Sequence, residues 1–189
     1  MNLMKPLVFS AAMLAAAGAW SQELDAPEQG APTEQSAQPE QNAEPEMEVK
    51  VYQDWELRCE TEADQCFMYQ MVRNASDSPV AEIRIVDIEP RGEAVAGATV
   101  VTPLGTLLDA GVVLQIDERE ARKYPFNWCT RAGCFARFGL TDAEIAAMKA
   151  GNVVKMRLLS VSAPDQPILL NVSLAGFTAA YNEMSTPEG

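Results

Sequence analysis

Apolar and polar residues alternate along most of the chain after residue 55, the pattern of strands that bury one face. Turn-forming residues separate the runs at 74–79, 90–97, 109–111 and 163–167. Many short strands at this spacing predict a mainly β domain, an antiparallel β-sandwich or a barrel-like fold. The apolar members of the runs are Trp55, Leu57 and Cys59; Ala81, Ile83 and Ile85; Val112, Leu114 and Ile116; Tyr124, Phe126 and Trp128; Val154, Met156 and Leu158; and Ile168, Leu170, Val172 and Leu174.

One short helix interrupts the strands, and the residues at its two ends predict its limits. Thr141 and Glu144 have the spacing of a capping box, in which each side chain bonds the backbone N–H of the other residue. The helix is therefore predicted at about Asp142–Ala150, with Gly151 as a left-handed stop. A second helical turn is predicted at 178–183.

The composition divides the chain into three parts. Residues 1–21 have a short positive start, an apolar run and the Ala17-Gly18-Ala19 cleavage pattern, which predict a signal peptide. Residues 22–48 carry eight acidic residues and no Lys or Arg among Pro, Gln and Ala, so we expect a disordered acidic tether. Residues 49–189 hold the β domain. The apolar run of the signal is too short to span a bilayer, so no transmembrane span is expected.

Charge and the missing histidine exclude several classes of function. The net charge is −13, which disfavours nucleic acid, because phosphate binding depends on basic side chains. The chain has no histidine, so it has neither a Ser-His-Asp triad nor a His-ligated metal. We expect no cofactor and no metal site.

Four cysteines carry the most informative chemistry. Cys59 and Cys66 enclose one polar loop between strand-like runs, and Cys129 and Cys134 enclose another. Facing positions across a hairpin already meet the distance that a disulfide needs, so we predict Cys59–Cys66 and Cys129–Cys134. A redox pair or a metal site is the alternative, but each usually has closer cysteine spacing.

Acidic and aromatic groups give weaker candidates for activity. Asp87 with Glu89, or Asp117 with Glu118 and Glu120, could supply an acid and a base for glycoside hydrolysis. Each group lies at a predicted strand end or turn, where acidic side chains are usually solvated, so we expect no catalysis there.

Four aromatic residues could instead form a platform for a sugar, but their spacing along predicted strands favours the core. These residues are Trp55, Tyr124, Phe126 and Trp128.

Several motifs occur in a fixed order between about residues 54 and 181. They are Trp55-Glu56-Leu57-Arg58-Cys59, Cys66, Pro103-Leu104-Gly105, Gly111-Val112-Val113-Leu114-Gln115-Ile116-Asp117, Tyr124-Pro125-Phe126-Asn127-Trp128-Cys129, Gly133-Cys134 and Val172-Ser173-Leu174-Ala175-Gly176-Phe177-Thr178. Together they resemble the invasion-associated locus B family of bacterial envelope proteins. This resemblance implies a β-rich periplasmic or secreted domain of a Gram-negative bacterium, in a family named for host-cell invasion, with no catalytic residue to carry over.

We therefore expect an exported, non-enzymatic envelope protein, periplasmic, secreted or associated with the outer membrane, that binds a protein or cell-surface partner. The binding surface is expected as an exposed apolar or aromatic patch on one sheet face, or at loops 119–123 and 130–133. A sandwich that binds a small ligand or glycan is the alternative, and an enzyme run on carboxylates or thiols is a third. The candidate partner-binding residues are Arg119, Arg122, Lys123 and Tyr124.

Overall fold

The computed structural model describes residues 47–61 and 65–185. The predicted signal peptide and residues 22–46 of the predicted tether lie outside the described residues. The first strand begins at Met47 and so includes the last two residues assigned to that tether. Within the described ranges, no helix is long and apolar enough to cross a membrane.

Most of the described residues form two antiparallel sheets. The larger sheet has seven strands in the order β1-β2-β3-β4-β5-β9-β8, and the smaller has four in the order β11-β10-β6-β7. The sheets form a β-sandwich-like fold and not a closed barrel over the described residues. The strands are β1 (Met47–Tyr52), β2 (Trp55–Glu60), β3 (Gln65–Arg73), β4 (Pro79–Arg91), β5 (Ala94–Thr102), β6 (Val112–Ile116), β7 (Arg122–Tyr124), β8 (Trp128–Thr130), β9 (Gly133–Thr141), β10 (Val153–Ser160) and β11 (Ala163–Ser173).

The predicted alternation places the core between the sheets. Trp55 is fully buried at the start of β2, where its indole N–H donates a 2.8 Å hydrogen bond to the Ser173 carbonyl. Ile83 of the larger sheet and Met156 of the smaller sheet are also almost fully buried. Because side chains alternate along a strand, the residues between these core positions face away from the sandwich.

The alternation predicts that Tyr124 to Trp128 form one strand, and this prediction is wrong. Tyr124 pairs with Val112 in the smaller sheet, whereas Trp128 pairs with Phe135 in the larger sheet. The chain therefore crosses between the sheets at this point. The core assignment holds for Trp55 and Tyr124, but it is wrong for Trp128, which is 40% exposed.

Two of the predicted turns are also wrong. The segment 163–167 belongs to β11, and the chain reverses at Val161 and Ser162 instead. The prolines of β11 are compatible with a strand because β11 lies at the edge of its sheet, where proline is found in sheets. The segment 90–97 is mostly strand, with only Gly92 and Glu93 in the turn.

Two α-helices and a short 3-10 helix (Leu108–Ala110) accompany the sheets in the described part of the chain. Helix α1 spans Asp142–Ala150 with the predicted capping box, but Gly151 has φ −90° and is not left-handed. A glycine is needed there for space, because a Cβ would lie 2.9 Å from the backbone carbonyl oxygen of Ala147. Helix α2 (Phe177–Met184) takes in the predicted second turn and packs the Phe177 ring edge-on to Trp55 at 5.4 Å.

Both predicted disulfides are present, and all four cysteines are used. Cys59 and Cys66 face each other across β2 and β3, and Cys129 and Cys134 across β8 and β9. Each disulfide therefore joins the two strands of a hairpin.

Candidate binding surfaces

The outer face of the larger sheet exposes a set of large apolar side chains. Directly paired residues of neighbouring strands lie on the same face of a sheet, so the pairing identifies which side chains share this surface. Val51 pairs with Glu56, Met71 with Glu82, and all of them face away from the core. The exposed apolar residues of this outer face are Val49, Val51, Met71, Val86 and Trp128.

Arginine and aromatic side chains alternate across the same outer face. The Arg58 guanidinium carbon, from β2, lies 3.7 Å from the centre of the Tyr69 ring, and the Arg84 guanidinium carbon, from β4, lies 5.9 Å from it. Arg137 lies 5.2 Å from the centre of the Trp128 ring. These distances allow cation–π attraction between the guanidinium groups and the rings.

The charges of two of these arginines are balanced on the surface. Arg58 forms a 2.7 Å ion pair with Glu56, and Arg84 forms a 3.3 Å ion pair with Glu82. The described residues provide no ion pair for Arg137, which has only the Trp128 ring beside it. Burial, followed by the Glu82 carboxylate, raises the pKa of Tyr69 above its ordinary 10.0, so this phenol is neutral at physiological pH.

A shallow groove continues this outer face toward the β8–β9 turn. Its volume is about 360 Å³, and its lining includes Met71, Val101 and Ala132. The predicted loop at 130–133 therefore adjoins the apolar face through Ala132.

A separate pocket lies between the two sheets, beneath α1. Its volume is about 340 Å³, within the range of about 300–1,000 Å³ typical of small-molecule sites. Most of its polar lining residues belong to the β6–β7 connection, to β7 and to the start of α1. Three of these residues, Arg119, Glu120 and Arg122, are exposed, so they lie at the mouth of the pocket. The apolar wall is formed by Ile83, Ala98, Leu114, Ile116, Phe138, Leu140, Ala143, Ala147, Met148 and Val154.

Glu144 organises the polar side of this pocket. The Tyr124 hydroxyl donates a 2.6 Å hydrogen bond to Glu144 Oε1, and Arg122 forms a 2.7 Å ion pair with the same oxygen. The Thr141 backbone N–H and hydroxyl donate to Oε2 at 2.8 and 2.9 Å. An ionised carboxylate accepts about four hydrogen bonds, so the acceptor capacity of Glu144 is filled.

The pKa shifts follow from this network. Burial alone would raise the pKa of Glu144, but the hydrogen bonds from Tyr124 and Thr141 and the charge of Arg122 lower it below its ordinary 4.5. Burial, then the bond to Glu144, raises the pKa of Tyr124. The Glu144 charge raises the pKa of Arg122. Glu144 and Arg122 are therefore ionised, and Tyr124 is neutral, at physiological pH.

The four predicted partner-binding residues do not form one patch. Arg119, Arg122 and Tyr124 all line the inter-sheet pocket. Lys123 pairs with Val113, on the other face of the smaller sheet, and its ammonium group donates a 2.8 Å hydrogen bond to the Asp109 carbonyl. Their role in partner binding stays a prediction.

Two of the acidic candidates for catalysis, Asp117 and Glu118, are engaged in contacts within the protein. Asp117 accepts hydrogen bonds from the backbone N–H groups of Asn152 and Val153, at 3.1 to 3.3 Å. Glu118 forms a 2.6 Å ion pair with Lys155. In the part of the chain that the structure describes, no three His, Cys, Asp or Glu residues are grouped to hold a metal ion.

The arginine–aromatic face was not predicted residue by residue. Tyr69, Arg84 and Arg137 lie in separate strands of the chain, and only the strand order brings them together. Arg58 and Arg84 occupy the polar positions of alternating runs, which indicates that they face solvent. Any charged residue could occupy such a position, so the pattern does not indicate that these arginines pack on aromatic rings.

The fold and its two hairpin disulfides define a disulfide-bonded, antiparallel β-sandwich-like protein. The model of the invasion associated locus B (IalB) family matches residues 55–185. The chain belongs to this family.

Known relatives agree with this assignment. Two proteins named invasion protein B homolog, from Brucella abortus strain 2308 and from Brucella abortus biovar 1 strain 9-941, are each 30% identical over 141 residues, 71% of this chain and 78% of theirs. The crystal structure of invasion associated protein b from Bartonella henselae matches with a TM-score of 0.62 and 26% identity, over 72% of this chain and 95% of that one.

Proposed function

We propose that this protein is an exported, non-enzymatic binding protein of the bacterial envelope, and that a protein partner docks on the outer face of its larger sheet. The observation that carries this proposal is the distribution of exposed apolar side chains. Every large apolar residue of the larger sheet that is exposed, from Val49 on β1 to Trp128 on β8, lies on this one face.

The composition of the outer face favours a protein as the partner. Tyr, Trp, Phe, Met and Arg are enriched in protein interfaces, and binding energy concentrates at Trp, Tyr and Arg. The pair of Trp128 and Arg137 has this character, with Trp128 stacked on Phe135 at 5.2 Å and only partly covered. A partner that covers this pair would bury an aromatic ring and meet an arginine whose charge is unbalanced.

The state of the reactive groups supports a non-enzymatic role. The Glu144 carboxylate is saturated with hydrogen bonds and has a lowered pKa, which does not suit a general acid or base at neutral pH. All four thiols are oxidised in hairpin disulfides. Such disulfides suit an oxidising compartment outside the cytoplasm, which supports export.

The names of the relatives associate those proteins with invasion. We propose from this a partner at a cell surface.

The proposal is tested by partner capture with matched surface variants. The immobilised wild-type protein is compared with Trp128→Ser and Arg137→Ser, which alter the outer face, and with Leu169→Ser as the control. Leu169 lies on β11 of the smaller sheet and is 71% exposed, so its change is equally apolar to polar but lies on another sheet. We expect one set of envelope or cell-surface proteins to be retained by the wild type and by Leu169→Ser and lost with both other variants. Equal retention by all four proteins would contradict the proposal.

A further inference from the structure

We propose that the inter-sheet pocket binds a free medium-chain aliphatic carboxylic acid. The chain lies among the apolar walls, and the carboxylate lies at the mouth beside Arg119 and Arg122. This site does not involve the outer face of the larger sheet, so it goes beyond the docking function proposed above.

The interior of the pocket selects an apolar occupant. Inner-face residues of both sheets, such as Ile83 and Val154, form its walls together with Met148 of α1. None of these three side chains carries a hydrogen-bonding group that would hold a polar ligand. Removing an aliphatic chain from water into this space is favourable, and the gain increases with each methylene that is buried.

The mouth of the pocket offers more donors than acceptors. The oxygens of Glu144 are already occupied by Tyr124, Arg122 and Thr141. Arg122 uses one nitrogen for that ion pair, and the rest of its guanidinium N–H groups remain for a ligand. A head group that accepts hydrogen bonds is therefore favoured over one that donates them.

Arg119 adds a charge with no protein counterpart. Its backbone is fixed, since its N–H donates to the Ile116 carbonyl and its carbonyl accepts from the Gln115 amide, both at 2.9 Å. Its guanidinium forms no hydrogen bond or ion pair within the described part of the chain. Glu120 at the mouth, and Glu93, whose charge also acts on Arg122, limit the attraction without removing the donors. A carboxylate between Arg119 and Arg122 satisfies both groups at the opening of an apolar space.

The binding test uses octanoate, with octanol and octylammonium as probes of equal chain length and different head group. Each is titrated calorimetrically into the full mature protein. We expect octanoate to bind more tightly than either control. The variant Arg119→Glu should weaken octanoate binding at least about tenfold, because a repulsive charge replaces an attractive one. Lys123→Glu is the matched control, since it makes the same charge change in the same hairpin but faces away from the pocket; it should leave the affinity unchanged.

The position of the bound octanoate is determined without any mutation. Nuclear Overhauser contacts are recorded between octanoate and the methionine methyl groups. We expect contacts to Met148, which lines the pocket and is 3% exposed, and none to Met71 on the outer face.

Each other outcome overturns the inference in a recognisable way. Equal binding of octanol or octylammonium would support the pocket as a binding site but contradict its preference for a carboxylic acid. Contacts to Met71, or no binding, would remove the pocket altogether. Octanoate that fails to bind while the protein sediments with vesicles of anionic phospholipid, in an Arg119-dependent way, would assign the head group to a lipid surface. In all these cases the proposed docking face stands or falls separately, because partner capture depends on Trp128 and Arg137.

Discussion

Tyr124 donates a 2.6 Å hydrogen bond to Glu144, and this bond joins β7 of the smaller sheet to the first turn of α1. The Tyr124 ring is stacked at 3.7 Å on Phe138 of the larger sheet, so this side chain links its own strand β7 to α1 and to β9. The capping box adds to this arrangement, because Glu144 also closes the start of the helix through Thr141. The polar edge of the pocket therefore holds both sheets and α1 together.

Removal of this hydrogen bond should be measurable as lost stability. Tyr124→Phe keeps the ring and its stacking but removes the donor to a charged acceptor, and we expect a loss of about 1.5–3 kcal/mol in the free energy of unfolding. Urea denaturation measures it. A double-mutant cycle with Glu144→Gln should give a coupling energy above about 0.5 kcal/mol, and additive losses would contradict a direct interaction.

Glu144 should also make stability depend on pH. Its pKa is lower in the folded protein than its ordinary 4.5, so between these two values the unfolded chain binds more protons. The contribution is therefore complete above pH 4.5 and is lost as the pH falls through the folded pKa. The urea midpoint is measured over a pH range that extends from above 4.5 to below the folded pKa of Glu144. On acidification through this range, the midpoint should fall more steeply for the wild type than for Glu144→Gln. Parallel curves would show that Glu144 is not the linked group.

Two glycines with positive φ should differ sharply in their tolerance of alanine. Gly176 has φ +85°, and a Cβ there would overlap the carbonyl of Tyr52, so Gly176→Ala should separate β1 from the start of α2 and give little folded protein. Gly92 has φ +61° but open space around it, so Gly92→Ala should cost only about 1 kcal/mol of backbone strain. Thermal unfolding followed by circular dichroism compares the two. Similar melting temperatures would mean that the contact at Tyr52 is relieved without cost.

The two disulfides should stabilise the fold to a similar extent. Each closes a short loop, for which the chain-entropy relation gives about 2 kcal/mol. The pairs Cys59→Ser with Cys66→Ser, and Cys129→Ser with Cys134→Ser, should each lower the unfolding free energy by about this amount while the fold is retained. The losses should add, because the bonds lie in hairpins separated by β4 and β5. A redox activity that disappears in either variant, with the fold intact, would contradict their structural role.

The features that the sequence predicts correctly depend on neighbours along the chain. Helix α1 is determined by its own capping residues, and both disulfides join positions within one hairpin. The segment from Tyr124 to Trp128 shows the limit of the alternation. Its pattern is that of a single strand, but its two ends pair with Val112 and Phe135, and alternation alone does not identify a pairing partner.

The candidate surfaces depend on these distant pairings even more strongly. Arg119, Arg122 and Tyr124 were identified as basic and aromatic groups, but the pocket behind them is formed by residues as far apart as Ile83 and Val154. The outer face likewise requires β9 to pair with β5, which is distant in sequence, as well as with β8. The fold class, the helix cap and the two disulfides are therefore predictable from the sequence, and the candidate binding surfaces are not.

Site-specific photo-crosslinking tests the central claim, that the outer face of the larger sheet is the docking surface, most directly. A photoreactive amino acid is placed at Met71 on that face in one variant, and at Leu169 on the smaller sheet in the other, both of which are exposed positions. Living cells that produce each variant are irradiated, and mass spectrometry of the crosslinked adducts identifies the molecules that contact each face. We expect a protein adduct of defined mass from Met71 and none from Leu169. Adducts from Leu169 alone, or the same adducts from both positions, would contradict the assignment of the docking face.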